Sequence, residues 1–268
     1  MNQPLLKPTD RDFVDALATG LSVLQAFSEE NSKLTLSDVA QIAGITRAKA
    51  RRFLLTLQSL GYVKKTDRHF ELAPKILQLG YTYLASNLYS DIIKKQLDWV
   101  TYDLGEMSSM SVLEGKDIVC TACSHPRNAF MEIKLKEGSR YPAIYTSMGR
   151  VLLSALSETE LERHFETIGF NTLTPRSIGT KEALLEELER VRQQQFAIVD
   201  QELHLGLRSV AVPAYSHTGE LLGALNITAL SATVSSETIK TKYLQRLQIA
   251  AAAIQSTVPE ETNTIPPT

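Results

Sequence analysis

The chain has 268 residues, of which 43% are hydrophobic and 22% charged. That is ordinary globular composition, enough for one large domain or two smaller ones. No apolar run approaches the roughly 18–20 residues of a membrane span, the opening MNQPLLKPTDRD lacks the basic-then-apolar pattern of a secretory signal, and two cysteines, Cys120 and Cys123, cannot staple a secreted scaffold; a cytoplasmic protein is expected.

Residues 1–9 hold two prolines and no periodicity and are expected to be disordered. From Asp10, Phe13, Val14, Leu17, Leu21, Leu24 and Phe27 recur at helical spacing. Residues 36–43 and 46–60 read as two further helices with Gly44 between them. Tyr62–Val63 and Phe70–Leu72 read as short strands around a Thr66-Asp67-Arg68 turn. Pro74 suits the first turn of a helix running to about residue 90. Beyond it, Ser109–Leu113 and Asp117–Thr121 flank a hairpin signal, Glu114-Gly115-Lys116. Helices are expected over Ser147–Leu156, Glu158–Ile168 and Lys181–Gln194. Phe196–Val199, Arg208–Ala214 and Leu221–Ala229 read as strands, and a last helix spans about Ser236–Ile254. The tail from residue 257, rich in proline, is expected to be disordered.

Net charge is only −2, but it is unevenly placed. Between Thr46 and Lys75 there are eight cations and two anions, +6, which leaves −8 for the remainder. A basic segment on an acidic body suggests a nucleic-acid-binding module joined to something else. A helix-turn-helix requires small or apolar residues at fixed places, because two helices cross closely on a third. Counting from Leu36, those places hold Val39, Ala40, Ala43, Gly44, Ile45, Ala50 and Phe53, and all seven fit. Gly44 can supply the positive φ of the turn, and Thr46 is a good N-cap for the second helix. That helix presents Thr46, Arg47, Ala48, Lys49, Arg51 and Arg52, its first residues toward base edges and the others toward phosphates. The following hairpin carries Lys64, Lys65 and Arg68 and forms a wing. An ordinary αα-hairpin would account for neither the basic cluster nor the wing.

These stretches resemble the IclR family of bacterial transcription regulators: DFVDALATGLSVLQAF, LTLSDVAQIAGITRAKARRFLLTLQSLGYV, HFELAPKILQLG, YPAIYTSMGRVLLSAL and VDQELHLGLRSVAVPAYSHTGELLGALNIT. The first and last are most similar to the subfamily governing aromatic-acid catabolism through the β-ketoadipate pathway. The resemblance implies an α+β chain: a winged helix-turn-helix over 10–73, a linker helix over 74–90, and a mixed α/β, GAF/profilin-like effector-binding domain over 91–256. It further implies an activator that binds double-stranded operator DNA as a dimer or dimer of dimers. The effector would be a small carboxylate such as 4-hydroxybenzoate, protocatechuate or β-ketoadipate. Effector contacts are implied at Ser147, Met148 and Gly149, at Ser209, at Asn226 and Thr228, and at apolar positions near Phe130 and Ile133. Relatives that bind small oxo-acids often carry an aspartate where this chain has Val199, which favours a larger, less polar ligand. By strand parity Gln201 joins Val199 in facing the pocket, and Asp200 and Glu202 face away.

The remaining constellations are weaker. Cys120-x-x-Cys123 has no second ligand pair for a structural zinc and sits at a strand end rather than a helix start, so the thiols read as buried or incidental. Asp200, Glu202 and His204 share a face in extended chain; a metal site is conceivable, but solvated strand-end charges are favoured. No G-x-x-x-x-G-K-[ST], G-x-G-x-x-G or G-x-S-x-G motif occurs. Neither a catalytic group, a cofactor nor a metal is therefore expected. An enzyme or a CxxC metal or redox sensor fused to a winged helix is the alternative reading.

Overall fold

The computed structural model describes residues 8–28, 31–85, 89–126, 135–166 and 168–257. The chain divides into two compact units, Met1–Ser86 and Asn87–Thr268. Residues 1–7 and 258–268, most of the stretches expected to be disordered, and Phe130 and Ile133 lie outside the described residues.

In the first unit α1 (Asp15–Gln25), α2 (Leu36–Ile42) and α3 (Arg47–Ser59) enclose a core of Val23, Val39, Ala50, Leu54 and Phe70. A three-stranded antiparallel sheet completes it, in the order β1 (Leu34–Thr35), β3 (His69–Leu72), β2 (Val63–Thr66). β1, two residues long, is too short to register in sequence periodicity. It ends where α2 begins: Thr35 caps that helix through Asp38 N–H, and the Asp38 carboxylate returns to Thr35 N–H at 2.8 Å, a reciprocal capping box. Gly44, at φ 64°, closes α2. Its N–H donates to Gln41 and that of Ile45 to Ala40, the paired bonds of a Schellman turn. Gly61 (φ 81°) ends α3 in the same way. After a 3-10 turn at Pro74–Ile76 comes α4 (Leu77–Ala85).

The second unit is built on a six-stranded antiparallel sheet. In chain order it comprises β4 (Met107–Glu114), β5 (Asp117–Ser124), β6 (Arg140–Pro142), β7 (Ala197–Asp200), β8 (Leu207–Tyr215) and β9 (Leu221–Leu230). In space the order is β6-β5-β4-β9-β8-β7. One face packs on α5 (Ser90–Leu104) and on the last helix, which runs from α9 (Ser236–Thr238) through a π-helical turn (Ile239–Tyr243) into α10 (Leu244–Gln255). The other face packs on α6 (Ser147–Ser154), α7 (Glu158–Glu166) and α8 (Lys181–Gln194). α5 is a difference from the sequence reading, which placed no helix between residue 90 and the strand at Ser109. Its buried Ile93, Leu97, Val100 and Thr101 repeat at helical spacing, and Gly105 (φ 71°) stops it.

Candidate DNA interface and effector site

The first candidate surface is α3 with the β2–β3 hairpin. Thr46 accepts Lys49 N–H at 3.2 Å and so opens α3. Ala50, Leu54 and Leu57 are buried beneath the helix, while Arg47, Ala48, Arg51 and Arg52 are exposed. Lys49 is half-buried and bonds Asp15 of α1 at 3.0 Å, so part of its charge is committed within the unit. In the hairpin Lys64 lies opposite Glu71 and pairs with it at 3.3 Å. Lys65 and Arg68 are exposed. Asp67, at φ 53°, forms the turn. Arg47, Arg51, Arg52 and Arg68 take part in no ion pair among the described residues and form a cationic face suited to phosphates and base edges.

The second candidate is a cavity of about 80 Å³ in the other unit. At roughly 10–15 Å³ for each water, that is the scale of one small ring. Strand register brings one row of its walls together: Val199 lies beside Ser209, Ser209 beside Thr228, and Thr228 beside Met107. All four line the cavity, with Leu135, Tyr141, Tyr145, Met148, Leu203, His204 and Leu207. The lining is mostly apolar. Its polar groups are the start of α6 with Ser209, Asn226 and Thr228 beside it, and His204 at another edge.

A helix leaves four N–H groups without intrahelical partners at its start. Here Thr146 N–H donates to the Ala143 carbonyl at 3.2 Å, and Gly149 N–H donates to the Thr146 hydroxyl at 3.0 Å. The Ser147 and Met148 amides remain as open donors among the described residues. Gly149 itself is buried, and a Cβ there would stand 2.0 Å from the Ala143 carbonyl oxygen, so glycine lets α6 close on the turn before it.

The side chains beside these amides form a chain whose direction is fixed. Asn226, fully buried, bonds the Val210 carbonyl at 3.1 Å, which only its NH₂ can do. The same NH₂ donates to Ser147 Oγ at 2.9 Å, and Asn226 Oδ1 accepts the Thr228 hydroxyl at 2.8 Å. Ser147 must then pass its proton to Ser209 Oγ, 3.0 Å away. Ser209 is left as a terminal donor. One end of the cavity therefore offers two amides and a hydroxyl, all donating, at the positive end of a helix dipole, an arrangement suited to a carboxylate.

Comparison with known proteins assigns both units to a family. The family description "Bacterial transcriptional regulator IclR C-terminal" matches residues 82–256, and "IclR helix-turn-helix domain" matches 16–67. The chain belongs to the IclR family of bacterial transcriptional regulators. It is similar to the Pca regulon regulatory protein of Pseudomonas putida, 38% identical over 90% of this chain and 83% of that one. Among solved structures, a Rhodococcus sp. RHA1 protein described as a transcriptional regulator is 39% identical at a TM-score of 0.78, covering 91% of this chain and 97% of that one. The inducer-binding domain of an Acinetobacter transcription factor, a double mutant in complex with 3-hydroxybenzoic acid, is 27% identical at a TM-score of 0.59, covering 63% of this chain and 98% of that one.

Of the positions expected to face an effector in this IclR-family chain, Ser147, Met148, Val199, Ser209, Asn226 and Thr228 lie together in the cavity lining. Gly149 does not join them; its N–H is capped by Thr146. Nor does Gln201. Parity assumes that the strand continues, but β7 ends at Asp200 and Gln201 turns at φ 65°. Its side chain folds back, accepting Gly206 N–H at 3.1 Å and donating to Asp200 at 3.3 Å.

The expectation of solvated strand-end charges fails for the same segment. Glu202 is buried and receives two bonds from Arg150, at 2.8 and 2.6 Å, and a third from Ile178 N–H at 2.9 Å. Arg150, 2% exposed, has a second carboxylate, Glu187, at 3.9 Å. Asp200 bonds Arg208 at 2.9 Å and Arg176 at 3.0 Å. Burial pushes its carboxyl up, but the Arg208 and Gln201 hydrogen bonds and the two cations outweigh it and hold it below the usual range. These acids are committed to arginines, and no group of three metal-ligating side chains occurs among the described residues.

Sequence reasoning did not single out Arg150, Tyr145 or His204 as parts of this site. A lone arginine within the apolar run of α6 was the available signal for the first. Tyr145 donates to the Asn171 carbonyl at 2.7 Å, and burial, then the nearby Glu202 charge, push its pKa up.

Cys120 and Cys123 lie behind the cavity, in one cluster with Met107 and Leu135. Residues three apart normally point to opposite faces of a strand. A bulge leaves Thr121 without a partner between the pairs Met110–Ala122 and Ser111–Cys120, which brings both thiols to one side. Burial pushes the Cys120 pKa up to about 12. A larger groove of about 370 Å³ lies against Ser154, Arg192, Gln195 and Tyr215. Its arginine is committed to the Ser154 and Leu156 carbonyls and to Glu189, and no helix begins among its lining residues, so the smaller cavity is the candidate site.

Proposed function

We propose that this regulator is a cytoplasmic, effector-responsive activator of genes for aromatic-acid catabolism. It reads operator DNA with α3, using Thr46, Arg47, Ala48, Arg51 and Arg52 and, in part, Lys49. Lys64, Lys65 and Arg68 of the hairpin hold the DNA backbone. Two copies are needed, since a two-fold operator presents its half-sites about 34 Å apart or a multiple of that. Val14, Leu17 and Leu21 before and on α1, and Leu77, Leu79 and Tyr81 on α4, are exposed apolar residues suited to joining two protomers.

The effector is a carboxylate of the 4-hydroxybenzoate, protocatechuate or β-ketoadipate class. The observation that carries this reading is the donor-only end of a mostly apolar cavity: the Ser147 and Met148 amides and the Ser209 hydroxyl. An aromatic ring suits Val199, Met107 and Leu135, and the Acinetobacter domain seen with 3-hydroxybenzoic acid supports that class. A thermal-shift and calorimetric screen against these acids, with glucose and a polyamine as controls, tests it. A true effector at 100 times its Kd raises stability by about 2.7 kcal/mol. Binding of the controls alone would remove the reading. A reporter gene that rises with the effector, rather than falling, tests activation.

A further inference from the structure

The donor end of the cavity accounts for a carboxylate and leaves its second polar edge unexplained. That edge is His204, on the segment joining β7 to β8. Its Nδ1 lies 2.8 Å from the Leu205 carbonyl. A carbonyl only accepts, so Nδ1 carries the proton, and in the neutral ring Nε2 holds a lone pair. The hydroxyls around it are committed differently: Tyr145 donates to Asn171, Thr146 to Ala143 and Thr228 to Asn226. An imidazole nitrogen is a stronger acceptor than any of these oxygens.

The segment that carries His204 is also held still. Glu202 is clamped by Arg150, the Glu202 carbonyl accepts Ser177 Oγ at 2.7 Å, the Gln201 carbonyl accepts Thr174 Oγ1 at 2.7 Å, and Gly206 N–H donates to the Gln201 side chain. Arg150 lies on α6, three residues beyond Ser147. One short helix thus positions both the amides that face a carboxylate and, through a buried ion pair, the loop that presents His204. An acceptor held at a fixed place relative to a donor cluster measures where a ligand carries its own donor.

We propose that His204 determines specificity by accepting, at Nε2, the ring hydroxyl of a hydroxylated aromatic carboxylate whose carboxylate sits at the start of α6. This rests on the effector reading above and adds to it the substituent that is recognised. A site built to bond a hydroxyl discriminates against the analogue that lacks it; because His204, at the cavity's edge, is exposed to solvent, the expected preference is about tenfold rather than the larger ratios of closed sites.

The test is calorimetry with 4-hydroxybenzoate, 3-hydroxybenzoate and benzoate on the full chain and on two variants. The wild-type chain should bind at least one hydroxylated acid about tenfold more tightly than benzoate. His204→Phe keeps a ring and removes the acceptor, and the preference should fall below about threefold while benzoate binds as before. His204→Gln restores an acceptor oxygen and should recover part of the preference. If the wild type binds all three acids alike, or if His204→Phe retains the preference, the inference is overturned and the carboxylate reading stands. If none of the three acids binds the wild type, the carboxylate reading of an aromatic effector itself falls and takes this inference with it. Thermal unfolding of each variant, compared without ligand, shows whether a lost preference reflects a lost fold; in that event the His204→Gln result decides alone.

Discussion

Removing the charge of Glu202 tests how the cavity is held together. Glu202→Gln leaves the Arg150 guanidinium in place, 2% exposed, with Glu187 as its remaining carboxylate at 3.9 Å. Breaking a buried pair by neutralising one partner costs about 3–5 kcal/mol, because the other charge is left without compensation. Glu187 offsets part of that, so the lower end, about 3 kcal/mol, is expected. It is read from denaturant unfolding of the wild type and variant at equal slope. The double variant Arg150→Met, Glu202→Leu removes both charges and keeps the bulk, and should cost less than the single one, since a well-packed apolar pair is often no worse than a buried ion pair. Effector affinity should fall with Glu202→Gln, because the Gln201–Gly206 segment that brings Leu203 and His204 to the cavity loses its anchor. A single variant within about 0.5 kcal/mol of wild type, or a double variant worse than the single, would refute the argument that this pair is a desolvated clamp.

Arg47→Ala or Arg51→Ala should weaken operator binding by about 1–3 kcal/mol if the residue reads a guanine, whereas Lys65→Ala should weaken binding to all sequences alike and flatten its salt dependence; both are read by anisotropy titration at several salt concentrations. Gly149→Ala should unfold or severely destabilise the second unit, since its Cβ would overlap the Ala143 carbonyl oxygen, a result visible in circular dichroism. The Cys120 thiol, with its pKa pushed up to about 12, should label with a thiol reagent at pH 8 at least on the order of 100-fold more slowly in the native chain than in denaturant, because only the thiolate reacts; equal rates would mean the strand opens readily. Asp200, held below the usual carboxylate range by Arg208, adds stability above its unfolded pKa of about 3.9 and loses it as pH falls through the lower folded value; Asp200→Asn should therefore lower the unfolding temperature at pH 7, and the difference should shrink as pH falls below the unfolded pKa and vanish below the folded one.

The first unit was legible because its constraints are local. Gly44 needs φ 64°, Thr46 needs a following helix, and Ala40 and Ala50 need a close crossing; each demand is written in one residue and its near neighbours. The cavity was legible only where regular strands carry the residues: Ser209, Asn226 and Thr228 keep the parity that places them together. Parity failed one residue after β7, because Gln201 leaves the β region and reverses which side chains face inward. Nothing near Glu202 in the chain reveals that its partner is Arg150, 52 positions earlier. α5 was passed over for a different reason. The linker helix was read to about residue 90, and the periodic Ile93, Leu97 and Val100 were left without an element of their own.

The placement of charge in the cavity bears on what kind of receptor it can be. A permanently bound anion would be met by a cation, and Arg150 lies on the helix concerned. Yet its guanidinium is taken by Glu202, with Glu187 nearby, and a carboxylate entering the cavity meets only dipoles: two amides and a hydroxyl. Hydrogen bonds to a charged group contribute about 1.5–3 kcal/mol each, and association itself costs at least about 4 kcal/mol. The remainder must come from burying a ring against Val199, Met107 and Leu135, which at about 25 cal/mol per Å² is a few kcal/mol. The sum falls in the micromolar to millimolar range. A metabolite binds and leaves a site of that strength as its concentration changes, which is what the proposed effector-responsive role requires.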